Sequence, residues 1–300
     1  MEKLTDRRHT DLTVSALTFL RQHELHPDPA AFLAHGYIAL CLRAWPTATG
    51  APLHLATHWA VWTWLTDDVF DRELRDAPPE EVGRLALGLL NTVAEAHSSG
   101  PGDHPVVGAL ADLVEETRAV MPDHWWERYR QQLAAWIHAA HEKLTDFLQP
   151  CRTPTLRQYL TIRPPDGGML LAAMWCELAE QCITPEWHDP IVQSLLSAFS
   201  ACGYLVNDLA AGQGDTFTAL DALVHTTGLR ATVAREKARE LLWAEERRFW
   251  VLRTALREDA GGPSRDTSRF ALHLELFWHA LREWTTASSR YTLAAPEATK

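Results

Sequence analysis

Apolar residues recur every three or four positions along almost the whole chain, the period of a helix with a buried face. The pattern predicts helices over 11–23, 31–45, 53–74, 80–97, 106–121, 124–146, 155–163, 168–181, 186–212, 219–228, 229–258 and 267–289. Between them stand turn residues, as in Ser98-Ser99-Gly100-Pro101-Gly102 and Gly261-Gly262-Pro263-Ser264, where glycine and proline interrupt a helix. No segment shows the alternation of a half-buried strand. No repeat is evident, and no break is long enough to be a linker. The expectation is one all-α domain over residues 1–300 with short disordered termini, a helical bundle enclosing a cavity.

One interruption differs from the rest. In Tyr159-Leu160-Thr161-Ile162-Arg163-Pro164-Pro165-Asp166-Gly167-Gly168-Met169-Leu170, two prolines and two glycines cut an apolar helical pattern that resumes at once. Pro164 disfavours helical angles at Arg163, and the glycines allow almost any backbone. The segment reads either as a plain turn or as a helix break that exposes backbone groups to a ligand.

Composition narrows the function classes. An apolar fraction of 46% supports a substantial core, and 13 tryptophans require buried aromatic surface in a core or a pocket. The formal charge of −11 argues against a nucleic-acid partner and a polybasic membrane surface. An anionic substrate would need its own local positive charge, from a metal or a few placed arginines. The five cysteines are odd in number and form no CxxC pair, so neither a disulfide framework nor a zinc site is suggested. With no apolar leader at the N-terminus and no run long enough for a membrane span, a cytoplasmic protein is expected.

Three short motifs carry chemistry. Trp62 lies in an aromatic, apolar helix that ends in Asp67, Asp68 and Asp71. Asp67 and Asp71 stand at i, i+4 on one face, where like charges repel unless a cation bridges them. Hard oxygen ligands suit Mg²⁺, although a solvated acidic helix end has the same pattern. Asn207, Ala211 and Asp215 fall at i, i+4 and i+8 on another helix; they offer either two oxygens for a divalent ion or a helix cap. Near the C-terminus, Arg290 and Tyr291 could hold phosphate oxygens through a guanidinium fork and a hydroxyl.

Together these pieces resemble the bacterial class I terpene synthases, over roughly residues 30 to 292. That family carries an aspartate-rich motif, an arginine at a helix break, an Asn/Ser/Glu metal triad and an Arg-Tyr pair, in the order found here. Asp67, Asp68 and Asp71 match the first motif. Arg163, Asp166 and Gly167 match the diphosphate sensor, linker and effector in R-x-x-D-G spacing. Asn207 and Asp215 match the ends of the triad, and Trp284, Arg290 and Tyr291 the C-terminal element. The chain departs from the pattern at Ala211, where Ser or Thr is usual, at Asp215 in place of Glu, and at Gly214, where a lysine is frequent.

The resemblance implies three Mg²⁺ ions clamping a prenyl diphosphate. Asp67, Asp68, Asp71, Asn207 and Asp215 would be the metal ligands, and Arg163, Arg290 and Tyr291 would bind the diphosphate. Trp62 would offer an aromatic face to cationic intermediates. The relaxed triad tilts the substrate towards a C20 diphosphate of the geranylgeranyl or copalyl type, as in diterpene synthases of the kaurene-synthase kind, ahead of C15 farnesyl. A homodimer is left open. Two other readings stand beside it: a catalytically silent isoprenoid-binding helical protein, which the missing hydroxyl at Ala211 favours, and a chain-elongating prenyltransferase. The latter would normally carry a second aspartate-rich motif where this chain has NDLAAGQGD.

Overall fold

A computed structural model describes residues 2–25, 28–95, 103–211, 217–257 and 264–289. Among these no strand occurs, and thirteen α-helices carry the fold. The first four are α1 (Glu2–Gln22), α2 (Pro29–Ala34), α3 (Tyr37–Ala44) and α4 (Gly50–Asp68). They are followed by α5 (Pro79–Val93), α6 (Pro105–Val120), α7 (Asp123–Lys143), α8 (Leu156–Asp166) and α9 (Met169–Glu180). The last four are α10 (Pro190–Ala210), α11 (Ala219–Thr227), α12 (Ala231–Ala255) and α13 (Arg265–Ala287).

The all-α expectation holds, and most predicted helices are present within a few residues. Capping explains several boundaries. Asp189 accepts from Ile191 N ahead of Pro190, so α10 begins later than 186. Thr155 and Gln158 form a reciprocal capping box that starts α8. The predicted helix 31–45 is two helices, because Gly36 takes a left-handed φ of +72° and turns the chain between α2 and α3. The Ser98–Gly102 break and most of Gly261–Ser264 lie outside the described residues.

α4 is apolar on nearly every side and runs through the core, against α9, α6 and α1. α10 packs on α12 and α13, α7 on α8, and α13 on α3. Trp45, Trp59, Trp62, Trp125, Trp136 and Trp278 are among the largest fully buried side chains, which accounts for much of the tryptophan content.

Two predicted helices change winding before they end. A π-helical turn, Val69–Glu73, follows α4, and another, Leu144–Leu148, follows α7. The two turns pack on each other. Gln149 Nε2 ties them further by donating to Leu74 O at 3.1 Å and Ala77 O at 2.9 Å. Single π-turns recur at functional sites, and these two place Asp71 and Lys143 side by side.

Candidate active site

A cavity of about 380 Å³ opens between α4, α7, α8, α9, α10 and α13. Asp67, Asp68, Asp71, Arg163, Asp166, Gly167 and Asn207 all line it, although they are scattered over much of the sequence.

The acidic end of α4 meets a lysine. Lys143 Nζ lies 2.8 Å from Asp71 Oδ1, 3.6 Å from Asp67 Oδ1 and 2.8 Å from Asp166 Oδ1. Asp68 turns towards Arg72, 3.5 Å away along the same helical face. Burial pushes Asp71 up to about 7; Lys143 opposes the shift, and the neighbouring Asp67 and Asp166 add to it. Asp166 is also buried, yet Lys143 and Arg163 together hold it below the usual carboxylate range. Three carboxylates thus crowd a single ammonium.

The predicted break at Pro164 is corrected. α8 continues through Pro164 and Pro165 to Asp166, and the chain turns at Gly167 and Gly168. The prolines leave the carbonyls of Leu160 and Thr161 without helical donors. Both residues are exposed, and a carbonyl at the surface needs no donor from the protein. Gly167 N still bonds Arg163 O at 2.8 Å, and Gly168, with φ +66°, starts α9. A side chain at Gly167 would press on Tyr204 Cβ at 3.1 Å and on the Arg163 carbonyl. Glycine here lets α8 and α10 approach closely at the cavity wall.

Arg163 is 11% exposed and anchored on three sides. It donates to Asp208 Oδ1 from Nε at 3.0 Å and from a terminal nitrogen at 2.6 Å, to Asp166 Oδ2 at 2.7 Å and to Asn207 Oδ1 at 2.9 Å. Asp208 also accepts from Tyr159 Oη at 2.6 Å and from Ala219 N at 2.8 Å. Asp166 therefore links Arg163 to Lys143, and through it to the acidic end of α4.

On α10, Asn207 faces the cavity and Ala211 lines it as the C-cap. Asp215, Arg290 and Tyr291 lie outside the described residues. The expectation for Trp62 is corrected: it is 0% exposed, donates to Val106 O at 2.9 Å and packs on Trp59 and Trp136 within the core. The cavity's aromatic wall comes instead from residues such as Trp64, Trp136, Trp175, Phe277 and Trp284. Trp64, Tyr37 and Trp284 form a three-ring cluster, with Trp64 stacked on Tyr37 at 4.4 Å and 5.8 Å from Trp284, which is itself 5.7 Å from Tyr37. Trp284 is locked by its bond to His35 O at 2.7 Å.

Sequence reasoning missed Lys143, Asp208 and Tyr159. Asp208 had a usable signal, for it falls three positions after the buried Leu205 on the inner face of α10.

The donor set fits a hard divalent cation. The Asp67 and Asp71 side chains are 26% and 25% exposed and line the cavity. Among the described residues no group of three His, Cys, Asp or Glu could hold a metal ion. Mg²⁺ does not need one, since it binds one or two carboxylates and completes its shell with water and phosphate.

Comparison with known proteins agrees with this geometry. Residues 58–248 match the family model described as terpene synthase family 2, C-terminal metal binding. Isoafricanol synthase of Streptomyces malaysiensis is 29% identical over 140 residues, 46% of this chain and 34% of that protein. The chain thus spans about a third of the length of the first curated relatives it matches. A (+)-T-muurolol synthase of Roseiflexus castenholzii, named as (2E,6E)-farnesyl diphosphate cyclizing, is 25% identical over 267 residues, 85% of this chain and 80% of that one. The fold is shared with the linalool/nerolidol synthase of Streptomyces clavuligerus in complex with 2-fluorogeranyl diphosphate. The TM-score there is 0.81 at 22% identity, over 92% of this chain and 98% of that chain. With well over half of its length inside the family match, the chain belongs to terpene synthase family 2, with its C-terminal metal-binding region.

Proposed function

We propose that the protein is a Mg²⁺-dependent terpene synthase that ionises farnesyl diphosphate and releases a terpene hydrocarbon or alcohol with diphosphate. The observation that carries this reading is the meeting, in one cavity with an aromatic wall, of Asp67 and Asp71, of Arg163 with Asp166, and of Asn207. Asp67, Asp68 and Asp71 would hold metal. Asn207 and Asp215 would hold a further ion, and Mg²⁺ would accept water where Ala211 offers no hydroxyl. Bound Mg²⁺ would supply stabilisation of the negative charge that develops on the leaving group.

The protein's own groups divide the remaining work. Arg163, held by Asp166, Asn207 and Asp208, offers diphosphate oxygens its positive charge and the one N–H those partners leave uncommitted. Arg290 and Tyr291 are assigned to the same diphosphate. Gly167, with no side chain, leaves bare backbone at the cavity wall. Trp64, Trp136, Trp175 and Trp284 present apolar surface that excludes water and ring faces that stabilise a cation by about 0.5–2 kcal/mol each.

The preference for C15 revises the C20 expectation. A cavity of about 380 Å³ is at the small end of the range for ligand pockets, roughly 300–1,000 Å³, and must also admit diphosphate and metal. The muurolol synthase relative, named for farnesyl diphosphate, points the same way. Purified protein incubated with geranyl, farnesyl, geranylgeranyl and copalyl diphosphates, with and without Mg²⁺, should release diphosphate fastest from farnesyl diphosphate with the metal. Release confined to the C20 substrates would restore the longer chain. Binding without release would favour the silent isoprenoid-binding protein, and coupling to added isopentenyl diphosphate would favour chain elongation.

A further inference from the structure

Lys143 has the surroundings of a bound ion. It ends α7, its side chain is 4% exposed, and its ammonium touches carboxylates from three separate elements: Asp67 on α4, Asp71 in the first π-turn and Asp166 on α8. A buried ammonium persists only where such partners surround it. Asp166 is shared, since its second oxygen holds Arg163 at 2.7 Å. Asp67 and Asp71 are the groups assigned above to metal. One protein-borne positive charge therefore already sits between them.

We propose that Lys143 is a built-in competitor for divalent metal, holding Asp67 and Asp71 in the ligand-free protein until a diphosphate enters the cavity. The inference rests on the metal role of those two aspartates. An ammonium about 3 Å from the carboxylates repels a divalent ion approaching the same oxygens, and the low-dielectric surroundings strengthen that repulsion. An anionic ligand reverses the balance, because it attracts the ammonium and the metal together. Metal and diphosphate then each raise the other's affinity, as linkage requires. A lysine that merely braced α7 against α4 would affect stability without this coupling.

The test is Mn²⁺ binding, followed by electron paramagnetic resonance, to the full chain with and without inorganic diphosphate. Lys143→Met should bind Mn²⁺ about tenfold or more tightly than wild type in the absence of diphosphate. The gain that diphosphate brings should shrink in that variant. Lys143→Arg, which keeps the charge, should bind Mn²⁺ as weakly as wild type. Should Lys143→Met be too unstable to titrate, Mn²⁺ should raise its Tm by more than it raises that of wild type. Equal Mn²⁺ affinity, or an equal Tm gain, in wild type and Lys143→Met would overturn the competition. Failure of every form to bind Mn²⁺ even with diphosphate would overturn the metal reading beneath it.

Discussion

Arg163 concentrates the site's logic in one side chain. Its guanidinium fills a fork between Asp166 and Asp208, whose side chains are 0% and 1% exposed. Arg163→Ala should lower single-turnover diphosphate release by about 10²–10³, the usual effect of losing a donor to a developing oxyanion. It should also destabilise the fold by about 3–5 kcal/mol, because two buried carboxylates lose their partner. Urea melts beside the kinetics separate the two effects. Arg163→Lys should recover much of the stability and little of the rate, since lysine lacks the planar fork. Wild-type release by the alanine variant would reduce Arg163 to a strut. This arginine was legible in the sequence because R-x-x-D-G is a local pattern. Lys143 was not: in His141-Glu142-Lys143 it reads as the basic end of an amphipathic helix, and its partners come from distant segments. Trp62 failed for a related reason, since periodicity cannot say which side of a fully buried helix faces a cavity and which faces the core.

At the scale of elements, helix positions were legible and their irregularities were not. The π-turns after α4 and α7 contain no Gly or Pro to announce them, and each is held by tertiary contact with the other. The prolines of α8 misled in the opposite direction, because the carbonyls they leave without helical donors belong to the exposed Leu160 and Thr161. The contact between α9 and α10 offers a direct test of this packing. Gly203 lies on α10 beneath Met169, and a methyl there would overlap Met169 Sδ, Cγ and Cε. Gly203→Ala should cost about 1–3 kcal/mol through overpacking, read as a lower urea midpoint with unchanged m-value. Since Met169 also lines the cavity, its displacement should alter the product ratio. An unchanged midpoint and product profile would show that Met169 moves aside freely.

The whole molecule joins this site to a pH-sensitive flank. His58 on α4 is stacked on Phe19 of α1 at 4.6 Å and lies 3.0 Å from Ser15 Oγ. Burial, with His54 and His23 nearby, pushes its imidazole down to about 4. Asp11 approaches His54 at 3.1 Å and Asp112 approaches His23 at 3.5 Å. Below pH 6.5 the unfolded chain takes up a proton at His58 that the folded chain refuses until about pH 4. Stability should therefore fall as pH drops through that window, by up to about 3 kcal/mol from this residue. His58→Gln should flatten the acid limb of a plot of Tm against pH, and an unchanged limb would assign the loss to other groups.

The central claim, that the cavity ionises a prenyl diphosphate through metal held by the acidic end of α4, has one direct test. It is Mg²⁺-dependent diphosphate release from farnesyl diphosphate by wild type and by Asp67→Asn. The substitution removes a charge and little volume, and Asp67 is 26% exposed beside a lysine that keeps Asp71 and Asp166 as partners, so the fold should survive. The account predicts release by wild type that disappears on chelation, and loss of at least about 10²-fold in Asp67→Asn with a circular dichroism spectrum unchanged. Release by the folded variant at the wild-type rate, or wild-type release that persists without divalent metal, would contradict it.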